Sequence, residues 1–420
     1  MNVASTLLES FSPLRIRDFR VYLGGQAISL VGTWLQVTAQ GWAVWVISRS
    51  TSALGIAAML STLPILLLGR WTGVWADRLD RRRLLIATAT GAMVLAFILA
   101  VLVQTSLLQL WHLYLLSALL GIVTAIDLPA QQAFLGDLSG MGQVRRAVNL
   151  NTMIVQLSRM VGPAMAGFVI ASLGTATAFW LNGLSFVAVI ASLLAVRSNQ
   201  VRTARSDSSA GGFGEGLRFV AGQPRIQDLM IFVVLITFLV FPVLNILPAF
   251  ATDVLRGDAQ TLGILLASSG AGALTGTLFV VPIAQTIRRT GVVVGTAVVW
   301  MGVWAIIFST TTWLPLSAIS MFFVSLGAPA VFTMVNGLLQ FLAPPEMRAR
   351  LLSLLLMVSF GLQPFASLLI GYSAELLTTP VAIEINGVLL LMGAGAMFAL
   401  RPRLLQWEVS PVVGEATRSA

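Results

Sequence analysis

An all-α membrane protein of twelve crossings, arranged as two pseudo-symmetric six-helix bundles, is the fold class that three observations predict. Of 420 residues 57% are hydrophobic and only 10% charged, with a mean hydropathy of +0.91, more apolar surface than a water-soluble domain of this length can hide. The apolar residues gather in twelve stretches, each about long enough to cross a bilayer. The longest hydrophilic stretch falls near mid-chain and leaves six of them on either side. Hydrocarbon cannot satisfy a bare amide, so each stretch must be a helix or a closed-barrel strand, and none shows the alternation of a barrel strand.

Polar breaks and Gly/Pro punctuation place the first six helices at 21–47, 52–76, 84–105, 110–135, 148–172 and 176–196. The second six fall at 227–251, 260–284, 291–310, 314–341, 351–374 and 380–400. The organisation is thus an amino-terminal segment (1–20), a bundle (21–196), a linker (197–226), a second bundle (227–400) and a tail (401–420). The first apolar run follows Arg15, Arg17 and Arg20 and is too long for a signal-peptide core, so it reads as an uncleaved span. Within the linker, Phe213, Leu217, Phe219 and Val220 among charged residues mark a short amphipathic helix, against which its glycines count.

The formal net charge of +9 comes from 25 arginines, for there is no lysine. With the amino terminus cytoplasmic, 21 arginines fall on that side and only Arg49 and Arg256 outside, with Arg70 and Arg159 inside spans; the positive-inside bias puts both termini in the cytoplasm. Arginines spread through loops make no nucleic-acid face. The absence of cysteine and the single His112 exclude thiolate and histidine metal centres, and no Ser/His/Asp set is available for a lipid enzyme. Neither cofactor nor metal is expected.

The halves echo one another. Ser-Ala-Leu-Gly at 52–55 returns as Gln-Thr-Leu-Gly at 260–263, Leu-Asn-Gly at 181–183 as Ile-Asn-Gly at 385–387, and Pro129 as Pro329, at offsets of 208, 204 and 200. Such near-constant spacing predicts parallel repeats of six helices.

Three motifs carry a mechanism. Between spans two and three, Gly73-Val74-Trp75-Ala76-Asp77-Arg78-Leu79-Asp80-Arg81-Arg82-Arg83 sets an aspartate at a helix edge beside arginines, a charged latch able to break and reform. Topology alone would explain the arginines but not Gly73 and Asp77 at their spacing. In span five, Arg159 precedes Gly162, Pro163 and Gly167; the glycines allow close packing and the proline frees the Arg159 carbonyl. A mid-membrane arginine needs a partner, and Asp127, the only acid deep in a predicted span, is the expected one. Together they form a candidate proton-coupling site; a structural ion pair or a carboxylate capping the backbone near Pro129 is the alternative.

Candidate substrate contacts follow from polar and aromatic residues sharing helix faces: Thr33, Gln36 and Gln40 on span one, Gln131 beside Asp127 on span four, and Asn336 and Gln340 on span ten. Phe238, Phe241 and Asn245 join them on span seven. A cavity of amides and aromatics with little charge suits a bulky amphipathic solute, while interhelical hydrogen bonding is the structural alternative. Gly270, Gly272 and Gly276 give small-residue spacing for packing on span eight.

The 73–83 loop, the 159–167 run, Gly32-Thr33-Trp34-Leu35-Gln36, Gly41-Trp42, Asp127-Leu128-Pro129-Ala130-Gln131-Gln132-Ala133 and Phe179-Trp180-Leu181-Asn182-Gly183 together resemble the major facilitator superfamily, in particular its bacterial drug and siderophore exporters. The resemblance covers nearly the whole chain. It implies the major facilitator fold and a gating role for Gly73, Asp77, Arg78, Arg81 and Arg82. It also implies an exporter motif in Gly162, Pro163 and Gly167, and proton-driven efflux of a small molecule from the bacterial inner membrane by a monomer. Two departures stand out: the group usually has an arginine where this chain has Gln131, and often an acid where it has Thr33. Both count against an anionic siderophore. Uptake or facilitated diffusion by the same fold, or a non-transporting sensor, are the rival functions.

Overall fold

In a computed structural model the described residues, 12–140, 142–197, 213–287 and 289–401, are almost entirely helical. A 3₁₀ turn at Ser12–Arg15 leads into α1 (Arg17–Ser48), followed by α2 (Thr51–Arg78), α3 (Arg81–Gln104), α4 (Leu110–Ser139), α5 (Val144–Leu173) and α6 (Thr175–Ala195). Local chemistry sets the joints. Arg49 adopts a left-handed φ of 50° to end α1, and the Ser50 hydroxyl accepts the Ala53 N–H to begin α2. Asp80 caps α3 by accepting the Arg83 N–H at 2.9 Å, and Gly174, at φ 85°, turns α5 into α6.

The remaining chain forms α7 (Phe213–Gly222), α8 (Pro224–Leu239), α9 (Ala259–Thr275), α10 (Thr290–Thr310), α11 (Leu314–Leu342), α12 (Pro345–Gly361), α13 (Gln363–Leu376) and α14 (Thr379–Leu400). The seventh span does not end with α8; it continues through a 3₁₀ stretch at Phe241–Ile246, a helical turn and a π stretch at Phe250–Val254. Pro242 explains the break, because it offers no N–H to the Phe238 carbonyl. Val243 N–H turns to Val240, and the Leu239 carbonyl accepts instead from Asn386 Nδ2 of α14 at 3.0 Å. The eighth span likewise passes from α9 into a π stretch at Gly276–Val280.

Twelve long helical segments are thus present among the described residues, as the sequence predicts, and eleven of them are long and apolar enough to cross a membrane by composition. The other is α1, whose Gln26, Gln36 and Gln40 lower its hydropathy. Of the expected linker, 198–212 lies outside the described residues, as do the tail beyond 401 and residues 1–11.

Two compact units result: residues 1–204 with 251–267, and 205–250 with 268–420. Inside the first, α1 packs on α5 and α6, α2 on α4, and α3 on α4 and α6. Inside the second, the seventh span packs on α13 and α14, the π stretch of the eighth on α11, and α10 on α11 and α14. The pairing of first to fifth and sixth, second to fourth, and third to fourth and sixth is the same in both. A second correspondence lies at the helix ends. Asp18 in α1 accepts the Arg197 N–H just beyond α6 at 3.1 Å, and Asp228 in α8 lies 3.6 Å from Arg401 just beyond α14.

Close approaches replace hydrophobic driving force as the cement, since lipid is as apolar as any core. A Cβ on Gly32 would stand 2.2 Å from Ser185 of α6, one on Gly121 2.5 Å from the Ser61 carbonyl of α2, and one on Gly272 2.0 Å from the Phe322 carbonyl of α11. Gly276 sits against Leu326 in the same way, so the small-residue stripe of span eight is a packing surface.

Candidate functional site

Asp127 lies half-buried in α4, where its carboxylate accepts the Thr88 hydroxyl of α3 at 2.6 Å and the Gln131 amide one turn along its own helix. Neither partner carries charge, and among the described residues no hydrogen bond joins the carboxylate to the backbone around Pro129. Nothing in the sequence singles out Thr88, because a lone threonine in an apolar helix usually bonds its own backbone, and Thr88 also donates to the Leu85 carbonyl. A half-buried carboxyl with neutral hydrogen-bond partners can be held in either protonation state, since Thr88 and Gln131 can rearrange around it.

Arg159 does not meet Asp127. Its guanidinium lies over the Trp34 ring of α1, 5.4 Å from the centroid, and among the described residues no salt bridge joins it to a carboxylate. The helix contact explains this. A Cβ on Gly162 would stand 2.5 Å from Trp34 Cβ, so α5 rides directly on α1 and brings the arginine, one turn away, to the indole. A cation–π contact contributes about 0.5–2 kcal/mol, whereas a mid-span arginine costs about 2.5–3.5 kcal/mol on insertion scales. Trp34 alone offsets only part of that cost. At the far end of the motif, a Cβ on Gly167 would stand 2.9–3.1 Å from Ala259, Gln260 and Gly263, and one on Gly263 2.7 Å from the Pro163 carbonyl.

The arginine-rich loop is a dense latch within the first unit. Arg81 Nη1 donates to both carboxylate oxygens of Asp137 on α4 at 2.7 Å, and its Nε to the Ala76 carbonyl. Arg82 reaches the last carbonyls of α6, Leu193 at 2.6 Å and Leu194 at 2.7 Å, where a cation also complements the helix dipole. Asp137 and these carbonyls are the partners the sequence did not reveal. Arg78 is exposed in the last turn of α2, while the side chain of Asp77 lies outside the described part of the structure. A Cβ on Gly73 would enter open space.

The predicted substrate contacts divide. Gln36 is 2% exposed and accepts Asn182 Nδ2 of α6 at 2.6 Å, an interhelical bond rather than a surface for a solute. Gln40 donates to Ser117 of α4 at 2.6 Å, and Thr33 to its own backbone at Ser29. Asn245 donates to Ser367 of α13 at 2.9 Å. By contrast, Gln340 is exposed and donates to Asn336 within α11 at 2.7 Å, and Phe241 stacks on Phe332 of α11 with centroids 5.8 Å apart, while Phe238 is half-buried against the same hydrophobic core. Asn182 and Ser117 are further partners that periodicity alone could not supply.

This architecture has solved counterparts. A bacterial homologue of the human lysosomal transporter Spinster, in an inward-facing unoccupied conformation, superposes with a TM-score of 0.71 over 95% of this chain and 99% of that one, at 14% identity. A D-xylose–proton symporter gives 0.70 over 94% and 100%, at 13% identity. In sequence, the multidrug efflux pump Tap of Mycolicibacterium fortuitum is 26% identical across 90% of this chain and 95% of its own length. The staphyloferrin A transporter of Staphylococcus aureus is 24% identical across 62% of this chain and 66%, just under two thirds, of its own length. All four are membrane transporters rather than enzymes. With residues 8–415 matching the family described as transmembrane secretion effector, this chain belongs to that family of major facilitator transporters.

Proposed function

We propose that the protein is a proton-coupled efflux transporter of the bacterial inner membrane, with both termini cytoplasmic, exporting an amphipathic small molecule by alternating access. The observation that carries the coupling is Asp127, a mid-helix carboxylate held between Thr88 and Gln131 with no salt-bridge partner among the described residues. A carboxyl that exchanges a proton must be stable in both forms, and hydroxyl and amide partners that can donate to the carboxylate or accept from the acid provide for that. Arg159 enters the cycle through the cargo rather than as the ion-pair partner of Asp127. The loop of Gly73, Asp77, Arg78, Arg81 and Arg82 is the gate, its Arg81–Asp137 and Arg82–Leu193 bonds opening and closing between states. Gly162, Pro163 and Gly167 form the packing seam of span five, and Phe238, Phe241, Asn336 and Gln340 the substrate wall. The efflux reading is supported by similarity to a multidrug efflux pump.

The test is flux of an anionic amphipathic dye and of a neutral one in proteoliposomes with an imposed proton gradient. Export coupled to proton entry, lost in Asp127→Asn with dye binding retained, is the expected result. Flux indifferent to the gradient assigns a uniporter, and dye movement along with the protons assigns an importer.

A further inference from the structure

Arg159 is the sixteenth of the 30 residues of α5, about 21 Å from either end at the helical rise. Arginine stays protonated in proteins, so this is a permanent cation at mid-span. Its neighbour uses only one of its two chemistries. The guanidinium carbon lies over the Trp34 ring, 5.4 Å from its centroid, and a guanidinium also carries a fork of N–H donors that a carboxylate engages with two parallel hydrogen bonds. Among the described residues no hydrogen bond or salt bridge occupies those donors. Arg159 and Trp34 are both half-buried, and Gly162 seats α5 so closely on α1 that the pair is held in register.

We propose that Arg159, backed by Trp34, receives the carboxylate of an amphipathic anionic substrate, whose apolar body occupies the neighbouring span faces. The proposal rests on the transport reading, because only a solute carried through the protein brings an anion to this depth; a lipid headgroup stays near the helix ends. It also revises the expectation from Gln131: the charge missing from span four is supplied from span five.

The probes are pyrenebutyrate, its methyl ester and the matched pyrenebutyl trimethylammonium, titrated at neutral pH onto the full chain in zwitterionic nanodiscs, with empty discs subtracted. Wild type is expected to bind the acid about tenfold more tightly than the ester, the scale of one charge-assisted pair, and the cation most weakly. Arg159→Gln brings the acid down to the ester, and Arg159→Lys, a charge without the fork, retains part of the preference. Equal binding of acid and ester by wild type overturns the proposal without any variant, as does a preference that survives Arg159→Gln. Loss of the preference on adding phosphatidylglycerol, or on adding inorganic phosphate at equal ionic strength, assigns the site to a lipid or an inorganic anion and overturns it too. No proton gradient is present, so failure of coupling at Asp127 leaves this measurement untouched.

Discussion

The first span runs unbroken for 32 residues, whereas its counterpart by helix pairing, the seventh, leaves the α-helix after Leu239 and reaches Val254 through 3₁₀ and π stretches. The same helix pairings are therefore secured in two ways. In the first half, side chains bridge helix to helix: Gln36 to Asn182, Gln40 to Ser117, Thr88 to Asp127 and Arg81 to Asp137. In the second, side chains also bridge helices, as Asn245 does to Ser367 and Ser269 to Ser325 at 2.6 Å, but a proline breaks the seventh span and Asn386 answers the break at the Leu239 carbonyl. Asp127 thus sits in a continuous α-helix, while the 3₁₀ and π stretches fall in the seventh and eighth spans. A proton-coupled carrier of the kind proposed would gain from that separation, because the titrating group keeps its geometry while another region absorbs the shape change.

The largest effect tests whether close packing is equally unforgiving in both halves. Gly272→Leu forces a side chain into the Phe322 carbonyl, and Gly162→Leu into Trp34 and the Val31 carbonyl. Each is expected to cost about 3 kcal/mol or more and to abolish the monodisperse peak in detergent size exclusion. Gly73→Ala, which meets open space, leaves that peak intact. Next comes the latch. Arg81→Ala and Asp137→Asn should each lower stability by about 1.5–3 kcal/mol, the range of charge-assisted hydrogen bonds, and the double variant should cost little more than either alone because both remove one bond. Additive losses in thermal unfolding would mean that the two side chains act separately.

How far the sequence was legible follows the same division. Helix number and order rest on hydropathy, a property summed over about 20 residues, and they are legible, although α1 is the least apolar of the twelve because of its glutamines. Asp127 stood out because a carboxylate inside an apolar stretch is rare. Its partner did not, since Thr88 looks like any hydroxyl in a helix, and the pairing with Arg159 failed because sequence gives depth but not azimuth. Gln36 and Gln40 were placed on the right helix, yet nothing in their spacing separates a residue facing a solute from one facing Asn182 or Ser117. The break in the seventh span was signalled by Pro242 and Pro248, while the rescue of the Leu239 carbonyl by a residue 147 positions away was not.

That rescue sharpens the comparison at smaller scale. Asn182→Ala and Asn386→Ala remove equivalent residues, and each should cost about 0.6–1.7 kcal/mol, the measured range for hydrogen bonds within membranes. The two should differ in one respect. Pro242→Ala restores the missing N–H and lets Val243 return to the Leu239 carbonyl, so Asn386→Ala becomes nearly neutral in that background, whereas Asn182→Ala is unaffected by it. The same Pro242→Ala protein should unfold at a higher temperature and transport more slowly. Unchanged turnover would show that the break is not a hinge.

The smallest effect separates two carboxylates at matching helix ends. Asp18 takes the main-chain N–H of Arg197, so Arg197→Gln keeps the bond and should leave stability unchanged. Asp228 is fully buried and faces the Arg401 side chain at 3.6 Å, so Arg401→Gln should be felt. Because Arg401 is 37% exposed and the separation is long, the loss should stay below about 1 kcal/mol. It should also shrink in high salt, as a partly solvated ion pair does. A salt-independent loss would instead point to packing by the arginine stem, and equal losses at Arg197 and Arg401 would show that both ends use the side chain after all.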